Sequence, residues 1–219
     1  MIIEQELHFD YRARYYTEGV MSAATTKIWF VMHGYGQLAR FFLKRFKVLS
    51  DEGVFVIAPE GLSTFYLEEV TSRVRTGNNR VGATWMTREN RIADIENYIS
   101  LLNHIYKKEV PEGFSGEITL LGFSQGAATA TRWAIDGNNP FHQLILWSGI
   151  LPPDMNFEKA HEILKDKKIL EVFGKTDPYV TDEKLNEVTS LNTRLGLNPT
   201  IIKFDGGHEI NEEVLIGLI

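Results

Sequence analysis

The residues most suited to chemistry form the pentapeptide Gly122-Phe123-Ser124-Gln125-Gly126. An apolar run at 118–122 predicts a strand before the serine, and an alanine-rich segment at 125–136 predicts a helix after it. In such a strand-to-helix turn, Gly-x-Ser-x-Gly lifts the serine Oγ out of the backbone as a nucleophile. Glycine suits both flanking positions because a Cβ would collide with the neighbouring strand or helix. The pattern predicts a reactive serine at position 124.

A reactive serine needs a base to remove its proton and an acid to orient that base. In open α/β sheets, reacting groups collect beyond the carboxyl ends of the strands. Asp177 follows a predicted strand at 168–173, and His208 follows a predicted strand at 199–204. We therefore predict Ser124 as nucleophile, Asp177 as acid and His208 as base, in the chain order Ser, Asp, His.

Other residues compete for these roles. Asp205 and Asp154 are alternative acids, although Asp205 lies too close to His208 in sequence to reach easily behind its ring. Asp177 precedes a proline, and the alternative is that it shapes a turn or caps the helix predicted near residue 182. The histidines outside the glycine loop and the triad are interpreted as surface or packing residues: His8, His104, His142 and His161.

A glycine-rich turn at 31–37 follows the first predicted parallel strand. In folds with this serine turn, one oxyanion donor is the backbone N–H of the residue after the nucleophile, here Gln125. The second comes from the glycine-rich loop, where the N–H of Tyr35 is our candidate. His33 is interpreted as bracing this loop through hydrogen bonds. The alternative is a glycine turn that simply leads into a helix.

The elements that position these residues alternate between apolar strands and amphipathic helices. This order predicts an α/β fold with a mostly parallel sheet covered by helices on both faces. The predicted strands are 27–32, 54–58, 118–122, 143–148, 168–173 and 199–204. The predicted helices are 38–49, 88–106, 125–136, 157–164, 182–195 and 211–218. Alternation of apolar and polar residues from Leu7 to Tyr15 predicts a further, half-exposed edge strand.

A long connection at 60–87 is rich in aromatic residues, which predicts a pocket-lining segment or a minimal cap. An apolar pocket would favour a short or medium acyl chain. The candidate substrate-binding residues, which are alternatively core residues, are Leu62, Phe65, Tyr66, Trp85, Met86, Ile150 and Leu151. Three arginines of the same connection either contact an anionic group or form a solvated loop: Arg73, Arg75 and Arg80.

Composition limits the class of protein. With 219 residues, 43% of them hydrophobic, the chain is expected to form a single domain over 1–219. A net charge of −6 without a basic cluster disfavours nucleic-acid partners, and no apolar run is long enough for a membrane span. We expect a soluble, cytoplasmic protein, monomeric or homodimeric. No cysteine, phosphate-binding fingerprint or His-Glu-x-x-His spacing is present, so no cofactor or metal is expected.

Taken together, these residues resemble the α/β-hydrolase superfamily, in particular the carboxylesterase/phospholipase group that includes acyl-protein thioesterases. The resemblance covers about residue 28 to residue 208. Its carriers are His33-Gly34-Tyr35-Gly36, Ala58-Pro59-Glu60-Gly61, Gly122-Phe123-Ser124-Gln125-Gly126, Ser148-Gly149-Ile150-Leu151-Pro152, Gly174-Lys175-Thr176-Asp177-Pro178-Tyr179-Val180 and Gly207-His208. The resemblance departs at Gln37, where many relatives carry Asp, and at 73–85, which does not match the usual thioesterase pattern.

The resemblance implies an α/β-hydrolase fold with a small cap or none. It also implies cleavage of an ester or thioester of a small or medium acyl substrate through an acyl-enzyme, with no cofactor. Carried onto this chain, it assigns Ser124, Asp177 and His208 to the triad and Tyr35 and Gln125 to the oxyanion site. Alternatives are a ligand-binding receptor on the same scaffold, an acyl-protein thioesterase or lysophospholipase, a peptidase, and a dienelactone-type hydrolase. The last usually uses a cysteine, which this chain lacks.

Overall fold

The fold is described by a computed structural model that covers residues 1–219. Nine strands form one seven-stranded sheet and a separate two-stranded sheet. In chain order they are β1 (Tyr15–Glu18), β2 (Lys27–Met32), β3 (Phe55–Pro59), β4 (Ser63–Tyr66), β5 (Val81–Thr84), β6 (Glu117–Phe123), β7 (Gln143–Trp147), β8 (Lys168–Gly174) and β9 (Thr200–Phe204). The large sheet has the order β1-β3-β2-β6-β7-β8-β9, in which only β1 is antiparallel to its neighbour.

The inner parallel strands are largely apolar because both faces of the sheet are covered. Every residue of β3 and β7 is buried, as is nearly every residue of β2, β6 and β8. The six parallel strands and the α/β-hydrolase fold predicted from the sequence are confirmed, with strand ends that differ by one residue at most. Their carboxyl ends meet at one edge of the sheet, where the candidate site lies.

Helices pack on both faces of the sheet. The eight α-helices of the chain are α1 (Ala39–Phe42), α2 (Lys47–Asp51), α3 (Val70–Thr76), α4 (Arg91–Glu109), α5 (Gln125–Asp136), α6 (Phe157–Leu164), α7 (Asp182–Leu195) and α8 (Glu212–Ile216), of which α3 buries no residue. Buried residues of α4, α5, α6 and α7 form one core with one face of the sheet, and those of α1, α2 and α8 form a second core with the opposite face. No helix has both the length and the apolar character that a membrane crossing requires.

The helix predicted at 38–49 is broken into α1, a 3₁₀ turn at Leu43–Phe46 and α2. Three residues per turn align positions i and i+3, so Leu43 and Phe46 both point into the core. The helices predicted at 125–136, 157–164 and 182–195 have the observed bounds.

The strand predicted from Leu7 to Tyr15 is wrong. Residues 1–14 contain no strand, and every residue from 1 to 12 is exposed, including Leu7 and Phe9. The edge strand is instead β1, which pairs with β3 from Tyr15 onward. An alternating segment forms a strand only where it can pair with a free strand edge. Residues 15–18 already pair with the edge of β3, from Pro59 to Val56.

The connection at 60–87 is folded and contains secondary structure of its own. Strands β4 and β5 pair as an antiparallel hairpin, and α3 lies between them. The hairpin is attached to the glycine-rich loop by a bridge between Gln37 and Ala83, with Gly36 N donating to Ala83 O at 2.9 Å. It therefore lies against the edge of the sheet at which the candidate site is built.

Candidate active site

Ser124 occupies the turn between β6 and α5 in a conformation that a residue with a Cβ rarely adopts, with φ 53° and ψ −115°. Its backbone N–H donates to Trp147 O at 2.8 Å, which anchors the turn to the neighbouring strand β7. A Cβ at Gly122 would overlap the backbone of Gly126, and a Cβ at Gly126 would overlap the backbone of Met32. The two glycines thus allow the close approach of helix and strands that holds Ser124 in a strained conformation.

Asp177 and His208 come together from the ends of β8 and β9. His208 Nδ1 lies 2.7 Å from Oδ2 of Asp177, and the second carboxylate oxygen accepts the backbone N–H of Tyr179 at 2.9 Å. The Asp177 side chain has no exposed surface, whereas the His208 ring is partly exposed. An acceptor at Nδ1 fixes the tautomer that carries the proton there, so Nε2 has a free lone pair.

The His208 ring is positioned next to the nucleophile turn by aromatic contacts. Its centroid lies 4.8 Å from that of Phe123, the residue before Ser124, and 4.8 Å from that of Tyr179. No hydrogen bond joins Ser124 Oγ to His208 in the structure. In unliganded enzymes catalytic hydrogen bonds are often long and tighten only when substrate binds.

The two alternative acids have other partners. Asp205 forms an exposed ion pair with Lys175, with Nζ 2.7 Å from Oδ1. Asp154 pairs with Arg132 and Arg91. Burial raises the pKa of Asp154, but its hydrogen bonds to the two guanidinium groups outweigh burial and hold the pKa below its usual value. Neither carboxylate contacts a histidine ring.

His33 lies buried beneath the glycine-rich loop and bonds to backbone on both sides. Its Nε2 accepts the N–H of Gly61 at 3.0 Å, so Nδ1 carries the proton that it donates to Gly34 O at 2.8 Å. Burial lowers the pKa of His33 to about 4, although the bond to Gly34 acts in the opposite direction. The ring also stacks on Trp85. These contacts hold the loop in place, as interpreted from the sequence.

The backbone N–H groups of Tyr35 and Gln125 are both available to a ligand. That of Tyr35 donates to no group in the protein, and Gln125 is the first residue of α5, where helix N–H groups have no intrahelical partner. Gln37 shapes the Tyr35 turn, because its Oε1 accepts Gly34 N at 2.8 Å. Free N–H groups beside a nucleophile are suited to stabilising negative charge on an oxygen.

The Gln125 side chain, for which sequence reasoning assigned no role, joins the nucleophile turn to the hairpin. Its Nε2 donates to Met86 O at 3.0 Å and to Thr84 Oγ1 at 2.9 Å, and its Oε1 accepts Trp85 N at 3.2 Å. The available signal was an amide side chain in the motif directly after Ser124. Gln125 and Gln37 together connect both oxyanion candidates to β5.

A cavity of about 640 Å³ opens beside His208 and Phe123. Three arginines line it, and we call it the arginine cavity: Arg40, Arg45 and Arg80, with Phe41, Phe42, Leu67, Asn79, Val81, Glu209 and Ile210 among the other lining residues. Of the arginines considered from sequence, Arg80 lines this cavity and pairs with Glu68, whereas Arg73 stacks on Tyr66 at 3.8 Å. Arg75 is exposed on α3.

None of the seven candidate substrate-binding residues lines the arginine cavity. Met86, Ile150 and Leu151 line a second cavity of about 530 Å³, together with Ala128 of the helix that follows Ser124. The structure therefore brings these three together, on the α5 side of Ser124.

The remaining four are dispersed. Trp85 is a core residue rather than a pocket wall: it is 2% exposed, and its Nε1 donates to His33 O at 2.8 Å. Phe65 packs on the Tyr35 ring, Leu62 lies in a small cleft beside the N-terminal segment, and Tyr66 is covered on one face by Arg73. From the sequence alone, an aromatic residue in a long connection could be either a core residue or a residue that contacts substrate.

Comparison with known proteins identifies a family and a fold. A family model described as serine hydrolase (FSH1) matches residues 21–213. Among solved structures, esterase PE8 has a TM-score of 0.67 at 21% identity, covering 95% of this chain and 96% of that chain.

Two further structures extend this likeness. Acyl-protein thioesterase 2 of Zea mays has a TM-score of 0.68 at 18% identity, covering 94% of this chain and 96% of its own. The carboxylesterase of Bacillus cereus has a TM-score of 0.63 at 16% identity, covering 94% and 91%. At these identities the likeness establishes the shared fold.

Proposed function

Since the chain belongs to the FSH1 family of serine hydrolases, we propose that it cleaves carboxylic ester bonds with Ser124 as nucleophile, His208 as base and Asp177 as the residue that orients the base. The observation that carries the proposal is the 2.7 Å contact between His208 Nδ1 and Asp177 Oδ2, next to a strained serine turn. The proposal is also supported by the His208 ring, whose centroid lies 4.8 Å from that of Phe123, the residue before Ser124.

In the first half of the proposed reaction, Ser124 Oγ attacks the carbonyl carbon while its proton moves to His208 Nε2. The carbonyl oxygen gains negative charge, which the N–H groups of Tyr35 and Gln125 stabilise. Loss of one such donor typically costs about 3 kcal/mol of transition-state stabilisation. The bond to the leaving oxygen then breaks as His208 returns the proton to it, leaving an acyl ester on Ser124.

In the second half, water attacks the acyl ester, and His208 Nε2 accepts a proton from that water. The tetrahedral intermediate is held by the same two N–H groups and collapses when His208 protonates Ser124 Oγ. The carboxylic acid is released and the serine is restored. Throughout, Asp177 keeps the ring in one tautomer and stabilises the imidazolium.

The test uses hydrolysis of p-nitrophenyl butyrate together with labelling by a fluorophosphonate. Wild-type protein is expected to release nitrophenol and to gain one phosphonyl group on Ser124, and both are expected to be absent from Ser124→Ala. Ser148→Ala is the matched control, because Ser148 also has a positive φ, of 48°, and follows the neighbouring strand β7. Undiminished turnover in Ser124→Ala would overturn the proposal.

The leaving group is tested by pairing each oxygen ester with the thioester of the same acyl chain. For oxygen esters and thioesters alike, kcat/KM is measured over a series of acyl lengths. We propose an ester substrate with a short or medium acyl chain, because apolar side chains contribute to both cavities near Ser124. If thioesters are cleaved much faster than the matched esters, the protein is a thioesterase and the proposed ester substrate is wrong.

A further inference from the structure

The arginine cavity contains two guanidinium groups that have no anionic partner. Arg80 is neutralised by Glu68, which accepts from its Nε and its terminal nitrogen. Arg40 and Arg45 form no ion pair with any residue of the protein, although both line the cavity. Two of the three guanidinium groups that line the cavity therefore form no ion pair that would stabilise the fold.

Positively charged groups outnumber negatively charged groups around these two arginines. Arg40 Cζ lies 4.5 Å from the centroid of the Phe41 ring, and Lys44 Nζ lies 5.6 Å from the same centroid. Glu209 is the one carboxylate among the lining residues, and it forms no ion pair. The cavity thus has an excess of positive charge in a chain whose net charge is −6.

Other lining residues suit the uncharged part of a substrate. Phe42, Val81 and Ile210 contribute apolar wall, and Leu67 of the hairpin segment is a partly exposed apolar residue at the same cavity. His208 and Phe123 lie at the end of the cavity that adjoins the nucleophile turn. A molecule bound here would have apolar atoms against these walls and an anionic group near the guanidiniums.

We propose that the arginine cavity selects substrates that carry an anionic group, with Arg40 and Arg45 as specificity-determining residues. Guanidinium groups pair with carboxylate or phosphate oxygens in bidentate geometry. No carboxylate of the protein forms such a pair with Arg40 or Arg45. The proposal rests on the proposed esterase function and specifies the substrate class. The anionic group belongs either to the acyl part of the ester or to its leaving alcohol.

The acyl arm of the test compares mono-p-nitrophenyl adipate with methyl p-nitrophenyl adipate, which has the same chain and no charge. The alcohol arm compares the butyrate ester of 4-hydroxybenzoate with the butyrate ester of methyl 4-hydroxybenzoate. In one of the two arms, kcat/KM for the anionic ester is expected to exceed that for the neutral ester about tenfold at low salt. The preference should shrink in 0.5 M NaCl because salt screens exposed charges.

The double variant Arg40→Gln, Arg45→Gln is expected to remove this preference, with each guanidinium contributing about threefold. Arg75→Gln is the matched control, because Arg75 is exposed on α3 and does not line the cavity. The ratio of anionic to neutral ester is the readout, so a general loss of activity in a variant does not imitate the effect.

Binding is measured separately with Ser124→Ala, which cannot turn the ester over, as the rise in Tm with each anionic and neutral ester of the two arms. If wild type cleaves neutral esters but shows no anionic preference in either arm, the inference is wrong and the proposed function stands. A preference that survives in the double variant also overturns it. If wild type cleaves no ester, the proposed function fails. A charge-selective rise in Tm that requires Arg40 and Arg45 would then support anion binding alone, and its absence would overturn the inference too.

Discussion

Oδ2 of Asp177 lies 2.7 Å from Nδ1 of His208, although the two residues are 31 positions apart in the chain. The contact is made because β8 and β9 are parallel neighbours whose carboxyl ends open onto the same edge of the sheet. The loop that carries Asp177 is bonded to the loop that carries His208, since Thr176 N and Thr176 Oγ1 both donate to Gly206 O. The pair is thus held by backbone geometry as well as by its own hydrogen bond.

Replacing Asp177 by Asn is expected to lower kcat for p-nitrophenyl butyrate by about 10⁴-fold, because an amide no longer holds the catalytic tautomer of His208. Tm should change far less than activity. Asp205→Asn is the control: Asp205 is an exposed carboxylate of the neighbouring loop, paired with Lys175, and its variant should retain activity. Equal losses in the two variants would contradict the assignment of Asp177.

Replacing Gln125 by Ala is expected to destabilise the protein by about 1–3 kcal/mol, because it leaves the buried N–H of Trp85 without an acceptor and removes one of the two donors to Met86 O. The same change frees the nucleophile turn from β5, so kcat should fall about tenfold or more. Urea unfolding and steady-state kinetics measure the two effects. Gln5→Ala, in the exposed N-terminal segment, serves as control, and a Gln125→Ala protein with wild-type stability would show that these bonds contribute little.

His33 makes stability depend on pH because its folded pKa lies near 4, below the usual value of 6.5. The unfolded chain binds a proton between these values and the folded chain does not, so stability falls as pH decreases. The full effect is about 3 kcal/mol, of which about 2 kcal/mol is lost by pH 5. Protonation would place a proton on Nε2, which could then no longer accept the N–H of Gly61.

The measurement compares urea unfolding of wild type and His33→Gln at pH 7.5 and pH 5. Glutamine keeps an acceptor for Gly61 N but does not titrate. The stability advantage of wild type should therefore shrink by about 2 kcal/mol at the lower pH. An advantage that is the same at both pH values would show that His33 does not carry this dependence.

Glu171 is expected to keep its proton to a higher pH than an exposed glutamate does. Its Oε1 accepts Asn192 Nδ2 at 2.9 Å, whereas Glu171 Oε2 and Asn192 Oδ1 are buried without partners. A proton on Oε2 would allow it to donate to Oδ1, which satisfies both atoms. Burial raises the pKa of Glu171, and the bond from Asn192 offsets this only in part.

With a raised pKa, the stabilising contribution of Glu171 is complete below its usual value and is lost as pH rises. Glu171→Gln supplies an amide that donates to Asn192 at every pH. The variant is therefore expected to gain stability relative to wild type as pH increases from 5 to 9, measured by urea unfolding. Glu162→Gln on the exposed surface of α6 should show no such trend. A constant difference for Glu171→Gln would contradict the prediction.

The main elements and the site candidates could be predicted because they depend on local patterns. Continuous apolar runs indicated the parallel strands, and the helix at 125–136 followed from its composition directly after Ser124. Asp177 and His208 could be proposed because each follows a parallel strand, and parallel strands bring such positions to one edge. This reasoning used chain order and periodicity and required no side-chain coordinates.

Features that depend on which surfaces meet in space were decided by the tertiary structure. The alternating residues from Leu7 onward have strand character, but the adjacent edge, that of β3, is paired with β1. Trp85 and Leu67 are both apolar residues of one connection, yet the first is packed on His33 and the second lines the arginine cavity. Arg40 and Arg45 gained a candidate role only when the fold placed them in the lining of the same cavity as His208. Side-chain burial and charge pairing are set by contacts distant in sequence, which local propensity does not encode.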